Sequence, residues 1–65
     1  MVYVKRGKIE QIVISSMSGI GIYFKENKLD KDCISISING EELVCYKKDG
    51  EKLAQSLFEL CRQGD

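Results

Sequence analysis

Few residues in this chain are of a type that does chemistry. Its 65 residues include no histidine. That removes the commonest general base, the usual partner of a nucleophilic Ser or Cys, and the commonest metal ligand. Cys33, Cys45 and Cys61 are the only cysteines. No Cys-x-x-Cys pair occurs among them, so they do not form a tetrahedral zinc set. An odd count also argues against a secreted disulfide scaffold. They are expected to be small buried hydrophobes in reduced form.

Two polar loops hold the remaining candidates. Ser15-Ser16-Met17-Ser18-Gly19 could cradle a phosphate through its backbone amides. Its spacing does not match the Walker pattern, no helix follows, and no Lys-Ser/Thr pair closes it, so a plain turn is expected. Glu26, Asp30 and Asp32 lie in the most charged segment, 26–32. The calcium-loop pattern is absent there, with no central Gly and no bidentate Glu at the end. Lys28 and Lys31 dilute the charge, so this is expected to be a solvated loop. Paired carboxylates would need a deep cleft, which so short a chain scarcely encloses. No catalytic residue, metal or cofactor is expected, and the chain is read as a non-enzyme.

The elements that position these residues follow from the hydropathy pattern. Leu53, Ala54, Leu57, Phe58, Leu60 and Cys61 fall within an arc of roughly 160° on a helical wheel. The pattern predicts one helix over about 50–63, with Asp49 capping its first turn, Arg62 in its last turn and Gly64 in the left-handed stop. An apolar face this wide suits a sheet better than a single helix.

Before that helix the chain reads as short strands. Val2-Tyr3-Val4-Lys5 is the first, Arg6-Gly7-Lys8 a turn, and Ile9–Ser15 the second,. Ile12 and Ile14 share one face and Val13 the other. In the third strand, 20–25, Ile20, Ile22 and Phe24 alternate with Gly21 and Tyr23,. Gly21 marks a bend or bulge. Asn39-Gly40 between two alternating runs is the strongest short hairpin signal, because a type I′ turn needs positive φ at both positions. A two-residue loop sets Ile38 opposite Glu41, Ile36 opposite Leu43 and Ile34 opposite Cys45. Ser35, Ser37, Glu42, Val44 and Tyr46 then lie on the outer side. Cys33 and Cys45 point to opposite faces and cannot bridge, which leaves Cys45 and Cys61 as the one pair that could meet.

These readings give one domain over residues 1–65, of class α+β. The expected form is a curled antiparallel sheet or partly open barrel of about five strands in meander order, with the C-terminal helix packed on its concave face. The expected core is Val4, Ile12, Ile14, Ile20, Ile22, Phe24, Ile34, Ile36, Leu43, Cys45, Leu53, Leu57, Phe58 and Cys61.

Ten basic and ten acidic residues cancel, so no global field draws the chain to nucleic acid or an anionic membrane. No apolar run is long enough for a signal peptide core or a membrane span, and a cytoplasmic protein is expected. The favoured function is a small protein-binding module, a homodimeric regulator or inhibitor of the kind a virus or mobile element carries. Its binding residues would be Val13, Tyr23, Val44 and Tyr46, apolar matter on outward strand faces. The alternative is nucleic-acid binding through Tyr3, Lys5, Arg6, Lys8 and Lys25, a small basic and aromatic patch.

Two resemblances accompany these residues. Five short strands followed by a C-terminal amphipathic helix resemble the order of elements in the small archaeal chromatin proteins with an SH3-like barrel, which implies DNA binding through a strand face. Those proteins are strongly basic, whereas this chain is neutral. Asp49-Gly50-Glu51-Lys52-Leu53 looks like the charged turn that leads into the capping helix of pleckstrin-homology-like domains. That likeness covers only the tail, and the chain is too short for the seven strands of those domains.

Overall fold

A computed structural model describes residues 1–64. Five strands, β1 (Val2–Lys5), β2 (Lys8–Ser15), β3 (Gly21–Glu26), β4 (Cys33–Ile38) and β5 (Glu41–Tyr46), are followed by one helix, α1 (Lys47–Arg62). The strands form a single antiparallel sheet in the order β1-β2-β3-β4-β5. The sheet is not closed into a barrel: β1 pairs with β2 and β5 with β4 alone.

Turn chemistry sets the register. Asn39 and Gly40 have φ of 51° and 84°, as a type I′ turn requires. Ile38 accordingly stands opposite Glu41, Ile36 opposite Leu43 and Ile34 opposite Cys45. A second two-residue turn of the same kind joins β1 to β2, with Arg6 at φ 55° and Gly7 at 77°. Arginine gains nothing from its side chain in that left-handed conformation, so this turn carries local strain.

One irregularity changes which residues share a face. In the β1–β2 ladder Tyr3 pairs with Gln11 but Val4 pairs with Ile9, so Glu10 is the extra residue of a bulge,. Strict alternation would place Ile9 on the face away from Ile12 and Ile14. The bulge returns it to theirs. The apolar face therefore runs through Ile9, Ile12, Ile14, Ile22, Phe24, Ile34, Ile36, Leu43 and Cys45, together with Val2 and Val4 of β1.

The helix does not cover that face, which overturns the expected packing. None of the residues of α1 is buried. Leu53, Leu57 and Phe58 retain 55%, 46% and 60% of their accessible surface. Among the described residues only Cys33 and Ser35 are buried. Of the expected core, Val4, Ile14, Ile20, Leu43, Leu53, Leu57, Phe58 and Cys61 are exposed, and Ile12, Ile22, Phe24, Ile34, Ile36 and Cys45 are half-buried.

The cause lies at the start of the helix. It begins at Lys47, immediately after the last residue of β5, so no loop turns it back over the sheet,. Asp49 is thus the third helical residue rather than the cap. The capping position is Tyr46, which makes no side-chain capping bond. At the other end Gln63 is extended, with its amide donating to the Leu60 carbonyl at 3.2 Å. Gly64 does not take the left-handed conformation.

The Arg6 strain yields a test. Asn tolerates positive φ through local side-chain hydrogen bonding, so Arg6→Asn should raise the unfolding free energy by about 0.5–1 kcal/mol. Urea denaturation of the two chains, with an unchanged slope, measures it.

Candidate functional site

Two surfaces arise from this arrangement, one on each side of the sheet. The first is an apolar groove between α1 and the sheet. Ile9, Ile12, Ile14, Phe24, Ile34 and Ile36 line its floor, and Leu53, Ala54 and Leu57 its wall. Its volume is about 360 Å³. Glu10, Lys25 and Glu26 also contribute atoms at its margin.

The groove is pinned at one end only. The Lys47 amide donates to the Asp32 carbonyl at 2.8 Å. The Lys47 ammonium donates to Glu26 Oε2 at 2.9 Å. Gly50 lies against Ile34, close enough that a Cβ at this position would sit 3.0 Å from Ile34 Cδ1. Glycine inside a helix costs about 0.5–1 kcal/mol relative to alanine, and here it permits the first turn to touch the sheet. Beyond that turn the helix and sheet part, and the groove opens between them.

The Lys47 hydrogen bond and charge hold the Glu26 carboxyl below its ordinary value. A carboxylate depressed in the folded state adds stability above its unfolded value and loses it as pH falls through the folded one. This tie therefore persists to a lower pH than an unpaired Glu would allow, and is lost as pH falls further. Both partners are solvent-exposed, so the pair positions the first helical turn more than it stabilises it.

The opposite face is polar, and it is where the chain packs most closely. The register places Tyr3, Gln11, Val13, Tyr23, Lys25, Ser35, Ser37 and Val44 on this side. The β3–β4 loop folds over it through Asn27, whose Nδ2 donates to Ser35 Oγ at 2.9 Å. Asn27 Oδ1 accepts from the amides of Leu29 and Asp30, both at 2.9 Å. Asp30 Oδ1 accepts from the Asp32 amide at 2.9 Å. Beneath this loop Cys33 is buried, and burial first, then the nearby Asp30 carboxylate, push its thiol above the ordinary value. A thiol held in this way is a poor nucleophile. All three cysteines are free.

Both loop candidates are absorbed into structure. Ser16 Oγ accepts from the Ile20 amide at 3.0 Å and shares a hydrogen bond with Ser18 Oγ at 2.9 Å. The Gly19 amide donates to the Ser16 carbonyl at 3.0 Å, and the Ser16 amide to the Ile20 carbonyl at 2.9 Å. These amides point inward and are spent on the turn. Asp30 and Asp32 take part in the β3–β4 loop through the Asp30 side chain and the Asp32 backbone, and Glu26 is committed to Lys47. Among the described residues no cluster of three or more Cys, Asp or Glu side chains is placed to hold a metal ion.

The sequence-derived binding residues all fall on or beside the polar face. Val13 is paired with Tyr23, and Val44 with Ser35, while Tyr46 stands opposite Cys33 at the edge. The serines of β4 therefore divide them into two pairs. Tyr23 lies over Gly21, where a Cβ would come within 3.0 Å of the ring. Of the basic set, Lys5 is directly opposite Lys8, Tyr3 opposite Gln11, and Lys25 opposite Gln11 on its other side, with Arg6 in the connecting turn. The Lys48 ammonium stands 5.7 Å from the Tyr46 ring centroid.

The sequence pattern does not point to the groove, because most of its residues read as packed core. Ile9 had no signal pointing to it, since the bulge that turns it inward leaves no mark in the hydropathy pattern. Comparison with protein-family models, with curated proteins and with solved structures returned no match.

Proposed function

We propose that this chain is a small, non-enzymatic, cytoplasmic protein-binding module that works as a homodimer, with the apolar groove inside the interface. The observation that supports this reading is the amount of surface the single chain leaves bare. A folded monomer of 7.4 kDa ordinarily exposes about 4,200 Å². This chain exposes 5937 Å². Its radius of gyration is 12.9 Å, whereas a compact domain of this length has about 10.7 Å.

Part of the bare surface is apolar and lies around the groove. Ile9, Ile14, Leu43, Leu53, Leu57, Phe58 and Leu60 are all exposed and gather about one groove or on the helix that forms its wall. Scattered apolar residues on a surface are ordinary, but apolar side chains gathered around a groove support an interaction site. Once the groove is occupied, Val13, Tyr23, Val44 and Tyr46 remain on the outer face. They are the surface through which the dimer would meet a further protein, as a regulator or inhibitor does. No helix among the described residues is long and apolar enough to cross a membrane.

Sedimentation velocity over a concentration series tests the reading. A species of twice the chain mass is expected through the micromolar range. A single-chain mass at the highest concentration reached would remove the homodimer.

One observation favours a second reading. Tyr3, Lys5, Lys8 and Lys25 share the face opposite the groove, so a nucleic-acid strand could lie there without disturbing the groove. Titration of fluorescent duplex and single-stranded DNA at low salt measures this. Low salt strengthens phosphate contacts, so binding absent even there would end the second reading.

A further inference from the structure

We propose that the two copies join by exchanging their helices, with α1 of each chain lying in the other's groove against β2 and β3. This inference rests on the homodimer reading and specifies the interface.

Three observations point to a second α1 as the occupant. The first is area. The surface exposed beyond that of a compact monomer is about 1,700 Å² per chain. Two chains burying that amount would cover about 3,400 Å², within the range of obligate homodimers. A loop or a short peptide would leave much of it bare.

The second is length. A helix of 16 residues is about 24 Å long. The longest strand on the groove floor, β2, has eight residues and spans about 27 Å. The helix therefore matches the floor it would cover. A twofold axis allows both exchanges at once, since each chain carries one groove and one projecting helix.

The third is that the helix has apolar side chains its own groove does not use. Leu53, Ala54 and Leu57 line that groove. Phe58 and Leu60 do not, and they keep 60% and 61% of their surface. On the helical wheel Leu60 lies within about 20° of Leu53 and Phe58 within about 40° of Ala54, so they continue the groove-lining stripe along the helix, past the residues that line the chain's own groove. Arg62 stands beside the Phe58 ring, with its guanidinium carbon 5.3 Å from the centroid. The C-terminal half of α1 thus offers one aromatic ring and one cation together. The groove offers isoleucines and, at its margin, Glu10, which has no ion-pair partner among the described residues.

Isotope-filtered NOE spectroscopy on the unmodified chain tests the exchange. Fully ¹³C-labelled and unlabelled protein are mixed, unfolded and refolded together, and contacts between labelled and unlabelled copies are selected. Cross-peaks are expected from the Phe58 ring protons of one copy to the methyl groups of Ile12, Ile14 and Ile36 of the other. A dimer by sedimentation whose intermolecular cross-peaks come from Val13, Tyr23, Val44 and Tyr46 would overturn the exchange and leave the homodimer standing. A dimer in which Phe58 reaches those isoleucines only within its own copy would also overturn it. A single-chain mass on the same sample would remove both the exchange and the reading it rests on.

Discussion

The direct passage from β5 into α1 governs this molecule. Tyr46 ends the strand and Lys47 begins the helix, with no residue between them free to turn. An amphipathic helix that follows a sheet normally reverses through a loop and lays its apolar stripe on the nearest apolar face. Here the stripe and the face are both present, but the helix closes on the sheet at its first turn, where Gly50 lies against Ile34, and leaves a groove between them beyond it. The bonds from Lys47 to Asp32 and Glu26 fasten the first turn in that position. The open groove, the elongated shape and the excess of exposed surface all follow from that one junction.

A chain of 65 residues has little core to spare. At this size about 60% of the unfolded surface is buried even in a well-packed domain, and such domains usually need a staple, a metal or a partner. This one has free cysteines and, among the described residues, no metal cluster. The sheet has what it needs to form alone: two tight hairpins with positive-φ residues at their turns, and a long loop tied down by Asn27. What it lacks is a cover for its isoleucines.

Much of the architecture was legible in the sequence because local chemistry dictates it. Asn39-Gly40 dictates a type I′ turn, and from that turn the whole β4–β5 register follows by counting,. Alternation in β3 and the helical spacing of Leu53, Ala54, Leu57 and Phe58 are equally local. The features that escaped depend on geometry beyond the neighbouring residues. Asp49-Gly50 has the composition of a turn before a helix, yet the helix starts at Lys47 because Lys47 is held by a loop more than a dozen residues away. The bulge at Glu10 is a property of two paired strands and changes the face of Ile9. Asn27, which organises the β3–β4 loop, reads in the sequence as one more polar residue among charges. The candidate groove was hidden for a different reason. A stripe of apolar residues reads as core, and the junction that holds the helix off the sheet leaves no mark in that stripe.

Thermal unfolding followed by circular dichroism at several protein concentrations tests the central claim most directly: that the apolar face of this sheet is covered by a second copy. Mass action then makes the folded state more stable as protein is added. Between about 5 and about 500 µM the midpoint should rise by roughly 10 °C. A midpoint that stays constant across that range would mean that the single chain is the stable unit and that its groove is closed or filled in some other way.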